Sequence, residues 1–94
     1  MSEKEIELSP EAQSCCDDIV RAMQQANQYL ERGDYATAGC YQGFVIGYLC
    51  GLNQFGHTTD YEVLDNGFYG KLICDGKVFD FTSNWKYKET VSRQ

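Results

Sequence analysis

The chain has 94 residues, a formal net charge of −6, a single proline and five cysteines, which bounds it to one acidic domain. The excess of acids excludes a phosphate-backbone binder, which needs clustered Lys and Arg. Seven Tyr, five Phe and one Trp, on ordinary apolar content, exclude a chain that is mostly disordered.

Charge is unevenly spread. Residues 1–34 carry eight acids and three bases, net −5; residues 35–59 carry no Asp, Glu, Lys or Arg; residues 60–94 carry six acids and five bases, net −1. Residues 1–8 read as a flexible acidic tail, 9–81 as the folded domain and 82–94 as a polar C-terminal tail. Met1–Pro10 is acidic, where a secretory signal would be basic and then apolar. With an odd number of cysteines, reduced thiols in a cytoplasmic protein are expected.

The first helix announces its start at Ser9-Pro10-Glu11. Ser suits the N-cap, Pro the first turn, and Glu the positive end of the helix dipole. Apolar residues recur at Ala12, Cys16, Ile19, Val20, Met23, Ala26, Tyr29 and Leu30, which is helical spacing. Gly33 stops the helix and Asp34 caps a second one, expected over about Tyr35–Phe55. So short a turn makes an antiparallel helical hairpin. Ala26–Ala38, centred on Gly33-Asp34-Tyr35, resembles the middle of a tetratricopeptide repeat. That resemblance implies shared turn chemistry only, because no second copy follows and a solenoid needs about three repeats.

Within the second helix, Gly39, Gly43, Gly47 and Gly51 fall four residues apart. On a helix they form one bare ridge. Each interior Gly costs a helix roughly 0.5–1 kcal/mol relative to Ala, so a ridge of four implies close backbone contact, within the chain or between chains. A membrane helix is the third possibility. Ala36–Leu52, though, spans only about 25 Å, against a hydrocarbon core of about 30 Å. It also contains Gln42 and has no basic flank. No membrane insertion is expected.

After Gly56 the period changes from helix to strand. Tyr61–Leu64, Phe68–Cys74 and Lys77–Phe81 read as strands, separated by Asp65-Asn66-Gly67 and by Asp75-Gly76, which suit tight hairpin turns. Alternation puts Phe68, Gly70, Leu72 and Cys74 on one face of the middle strand and Tyr69, Lys71 and Ile73 on the other. The fold class is α+β, with the helical hairpin packed on a three-stranded antiparallel β-meander, in the order α-α-β-β-β.

No spacing of residues carries chemistry. His57 is the only histidine and follows a helix end in a polar loop. Cys15 and Cys16 are adjacent and Cys40, Cys50 and Cys74 scattered, so no zinc-ligand pair is visible. The chain is read as non-enzymatic, with no catalytic residue, no metal and no cofactor. Trp85-Lys86-Tyr87-Lys88 interleaves aromatics with bases, as single-strand binders do. On an acidic chain it reads as an anchor for the tail, and no direct nucleic-acid contact is expected.

Binding is the function class left. Glu11, Asp17 and Asp18 head an acidic surface suited to a protein partner with a basic face. Tyr69, Trp85 and Tyr87 are the expected aromatic anchors, since exposed aromatics mark interfaces. The leading expectation is an inhibitor or accessory protein that occupies a macromolecular partner. Small phage-encoded inhibitors and immunity proteins are similar in size, charge and lack of motifs. The alternative is an oligomeric protein, a homodimer or larger, that sequesters a small ligand such as a nucleotide in an aromatic-lined pocket.

Overall fold

Ser9 caps the first helix as its chemistry requires. In the computed structural model, which describes residues 7–82, the Ser9 side chain accepts a hydrogen bond from the Ala12 N–H at 3.1 Å. Helix α1 runs Pro10–Arg32 and ends at Gly33, which takes the left-handed conformation at φ 82°. The Gly33 and Asp34 N–H groups donate to the Leu30 and Tyr29 carbonyls at 3.0 and 2.9 Å, closing the helix end. Asp34 then accepts from the Thr37 N–H at 3.1 Å and opens helix α2, Tyr35–Gln54. Two residues therefore end one helix and start the next, and the hairpin is antiparallel.

Strands β1 (Thr59–Val63), β2 (Tyr69–Cys74) and β3 (Lys77–Asp80) form an antiparallel meander in the order β1-β2-β3. Asp75 and Gly76 both have positive φ, 52° and 89°, the backbone a primed two-residue hairpin turn demands. β1 begins two residues before the expected Tyr61. Thr59 pairs with Cys74, and the Thr58 carbonyl accepts from the Asp75 N–H at 2.7 Å. That extension is set by the neighbouring strand and carries no local signal.

α1 is the central layer, packing on α2 along one side and on β2 along the other; α2 reaches the sheet at β1. Cys16, Ile19, Met23 and Ala26 from α1, Val45 from α2, and Leu72 and Cys74 from β2 are all completely buried. Leu8, expected in the loose leader, packs against this core, because an apolar side chain one residue before the N-cap has core surface within reach.

Strand alternation breaks in the middle of β2. Glu62 pairs with Lys71 and Val63 with Tyr69, leaving Gly70 unopposed as a bulge. The extra residue reverses which face the preceding side chain takes. Tyr69 joins Leu72 and Cys74 in the core, with 7% of its surface exposed, where simple alternation puts it on the opposite face. Asn27 of α1, fully buried, holds the bulge. Its Nδ2 donates to the Tyr69 carbonyl at 2.9 Å, and its Oδ1 accepts from the Tyr69 N–H at 2.8 Å.

Two substitutions test this joint. Asn27→Ala strands both backbone groups of Tyr69 inside the core, and each buried unsatisfied group costs about 1–3 kcal/mol. Unfolding by urea is expected to show a loss of about 3 kcal/mol. At Gly70 a Cβ would lie 3.0 Å from Leu64 Cδ2 and 3.2 Å from Thr82 Oγ1. Gly70→Ala is therefore expected to destabilise by about 1–3 kcal/mol through overpacking.

Candidate functional site

α2 buries one narrow stripe, Ala38, Val45, Leu49 and Leu52. The glycine ridge lies away from it. Apart from the adjoining residues and backbone of α2 itself, no described part of the chain comes within 4 Å of a Cβ built at Gly39, Gly43, Gly47 or Gly51. Among the described residues, the close intrachain contact that would explain these glycines is not made. Around the ridge, large apolar side chains are also left in the open: Ile46 is 56% exposed, Phe44 55% and Phe55 84%. This face is uncharged along the whole length of α2.

The flank of α1 beside this face is acidic. Glu11, Ser14, Cys15, Asp18 and Tyr48 line a single surface depression of about 430 Å³. Two of the acids expected to bind a partner, Glu11 and Asp18, therefore meet an aromatic from α2. Asp18 also holds Arg21 in an exposed ion pair at 2.8 Å. Asp17 points elsewhere. It accepts from Gln13 Nε2 at 3.0 Å, and Gln13 Oε1 accepts from Lys77 Nζ at 2.9 Å, which puts Asp17 on the sheet side of α1. One residue is about 100° of helix, enough to separate Asp17 from Asp18.

Aromatic rings tie the two helices together along the same flank. Tyr29 stacks on Tyr41 with centroids 5.7 Å apart, Phe44 meets Tyr41 edge-on at 5.7 Å, and the Arg32 guanidinium lies 5.0 Å over Tyr29. Tyr41, Phe44 and Tyr48 then line a groove of about 370 Å³ with Asp18 and Arg21. Of the aromatic anchors expected from sequence, Tyr69 lies in the core, because the bulge turns it inward. Trp85 and Tyr87 lie outside the described residues. Most of the exposed aromatics among the described residues are instead on α2 or just past its end, Tyr35, Phe44, Tyr48 and Phe55, with Tyr61 on β1, and the signal for them was already in the sequence: an uncharged helix with more large apolar residues than one stripe can bury.

A larger groove of about 570 Å³ opens between the start of α1 and the end of α2. Cys15, Gly47, Tyr48, Gly51, Phe55 and His57 line it. Missing side chains at Gly47 and Gly51 are what leave it room. At its end, His57 Nδ1 donates to Asp75 Oδ2 at 2.6 Å, and the Thr58 N–H donates to Asp75 Oδ1 at 2.8 Å. These two bonds hold the Asp75 carboxyl below its ordinary 3.8.

The thiols nearby are not activated. Burial pushes Cys16 up to about 12, and the hydrogen bond it donates to Cys74 adds to the shift. Burial raises Cys74 and Cys15 as well, with Asp18 a further cause at Cys15. A protonated thiol is a poor nucleophile. Among the described residues, no helix is long and apolar enough to cross a membrane.

Two measurements follow from this geometry. With open space at Gly43, Gly43→Ala is expected to stabilise the isolated monomer by about 0.5–1 kcal/mol, read by urea unfolding at high dilution. A loss of stability there would mean that the ridge is already packed. The second is acid unfolding in metal-free buffer. Asp75 is depressed in the folded state, so its contribution is complete above pH 3.8 and lost as pH falls through the lower folded value. Asp75→Asn keeps a residue that tolerates positive φ and is expected to flatten the stability profile below about pH 4.

Comparison of the chain with protein-family models, with curated proteins and with solved structures gives no match.

Proposed function

We propose that this chain is a non-enzymatic binding protein, an inhibitor or accessory protein, that occupies a macromolecular partner through the acidic flank of α1 and the open face of α2. One observation carries the reading. Four glycines sit inside a helix, together costing roughly 2–4 kcal/mol of helix stability, and nothing in the described chain contacts them. On this reading a partner makes the contact that the described residues do not. Bare backbone lets a partner helix or strand approach closely, while Phe44, Ile46 and Phe55 supply apolar area at the centre of the contact.

Charge selects the partner. Glu11 and Asp18 border Tyr48 at the edge of this face, so the fitting surface is apolar at its centre and carries Lys or Arg at its rim. Rim charges steer encounter and exclude acidic competitors more than they add affinity. The net charge of −6 works in the same direction.

A second reading is favoured by the 570 Å³ groove, which is large enough for a small ligand and is lined by Tyr48, Phe55 and His57. In that reading two copies meet along the glycine ridge, and an oligomer sequesters the ligand.

Affinity capture from the source cell followed by kinetic measurement separates the two. Glu11→Lys with Asp18→Lys is expected to slow association about tenfold at low salt, with a smaller effect at high salt. Gly43→Leu is expected to keep the monomer folded and to speed dissociation. Should both variants hold the captured protein as tightly as the parent chain, the proposed surface is wrong. Co-purification of a small molecule with an oligomer, lost in Phe55→Ala, would favour the second reading.

A further inference from the structure

His57, Cys74 and Asp75 come from the link between α2 and β1, the last residue of β2 and the β2–β3 turn. Their ligand atoms, an imidazole nitrogen, a thiol sulfur and a carboxylate oxygen, all lie within 4.8 Å of one another. The surroundings are already ordered. The Thr58 N–H holds Asp75 Oδ1 at 2.8 Å and leaves Oδ2 facing His57, and the Asp75 N–H donates to the Thr58 carbonyl at 2.7 Å, pinning the two loops together.

We propose that His57 Nδ1, Cys74 Sγ and Asp75 Oδ2 bind a zinc ion, with the fourth position taken by solvent. Sulfur and imidazole nitrogen suit zinc and exclude magnesium and calcium, which take oxygen ligands. Three protein ligands and one solvent position complete the tetrahedral array that zinc prefers. Zinc bonds of 2.0–2.3 Å place neighbouring donors about 3.3–3.8 Å apart, so the 2.6 Å pair of His57 and Asp75 opens by about 0.7 Å as the ion enters. The protons balance simply. The Cys74 thiol loses a proton to solvent, and His57 moves its proton from Nδ1 to Nε2, leaving the Nδ1 lone pair for the metal. The ion would tie the α2–β1 link to the end of β2 and the β2–β3 turn at one point, a staple of the kind that supplements a small core. This site does not depend on the partner-binding surface.

The test is zinc itself, added to full-length protein stripped with a chelator and kept reduced. One equivalent is expected to bind and to raise the melting temperature by about 5 °C or more. Cobalt in place of zinc should give the visible bands of a four-coordinate ion and a thiolate charge-transfer band. His57→Gln is the deciding variant, since that side chain is partly exposed and its loss leaves the core intact. It is expected to weaken zinc binding by about a hundredfold or more. Cys74→Ser should do the same if it folds, whereas the double change Cys40→Ser and Cys50→Ser, at exposed positions on α2, should leave binding unchanged. Absence of zinc stabilisation in the parent protein overturns the proposal. So does His57→Gln binding zinc like the parent, or binding that disappears with Cys40 and Cys50.

Discussion

A single buried amide holds the two halves of this fold together. Asn27 gives Tyr69 the two hydrogen bonds that a neighbouring strand would otherwise supply, from a side chain with no exposed surface. Both partners are removed from water, so each bond is worth more than it would be at the surface, and losing either leaves a group with no substitute. The bond also fixes register. With Tyr69 held against α1, the bulge at Gly70 stays where it is, and Leu72 and Cys74 meet Ile19 and Met23 in one core. The sheet therefore cannot slide along the helix without breaking the amide pair.

The position of α1 follows from that joint, and the freedom of α2 follows from the position of α1. With α1 between its partner helix and β2, α2 has little sheet to pack on and buries only one stripe. Among the described residues nothing covers its other surface. An amphipathic helix would place charged residues there, yet this one has glycine, alanine, cysteine, isoleucine and phenylalanine. Helix propensity and solubility both argue against such a choice in a surface helix. A sequence that breaks two local rules at the same place usually does so for a site, which is the physical basis for reading α2 as the contact surface.

Two sets of residues converge near the ends of the hairpin. On one flank Glu11 and Asp18 lie against Tyr48, so that the acid-rich and charge-free parts of the chain form a single surface. At the base, His57 and Asp75 clasp the α2–β1 link to the β2–β3 turn, with Cys74 buried behind them. Gly47 and Gly51 lie on the groove that has His57 at its end, so the two regions share a border. A contact on the open face of α2 would therefore reach as far as this clasp.

Local chemistry made much of the architecture legible. Caps at Ser9 and Asp34, the stop at Gly33, the 3.6-residue period of α1 and the Asp75-Gly76 turn each depend on neighbours within a few residues, and the sequence by itself determined the α-α-β-β-β order from them. It also marked the glycine ridge and the acidic start of α1 as unusual. Tertiary structure alone decided which way those features point. Only the packed helices show that the ridge faces away from the core and that Asp18, not Asp17, borders the aromatics. The inward turn of Tyr69 needed the bulge at Gly70, and the bulge exists because Asn27, 42 residues away in the chain, satisfies it. The meeting of His57, Cys74 and Asp75 likewise depends on pairing between β1 and β2. Such contacts join residues distant in sequence, and no periodicity or spacing within one segment can encode where a different segment will lie.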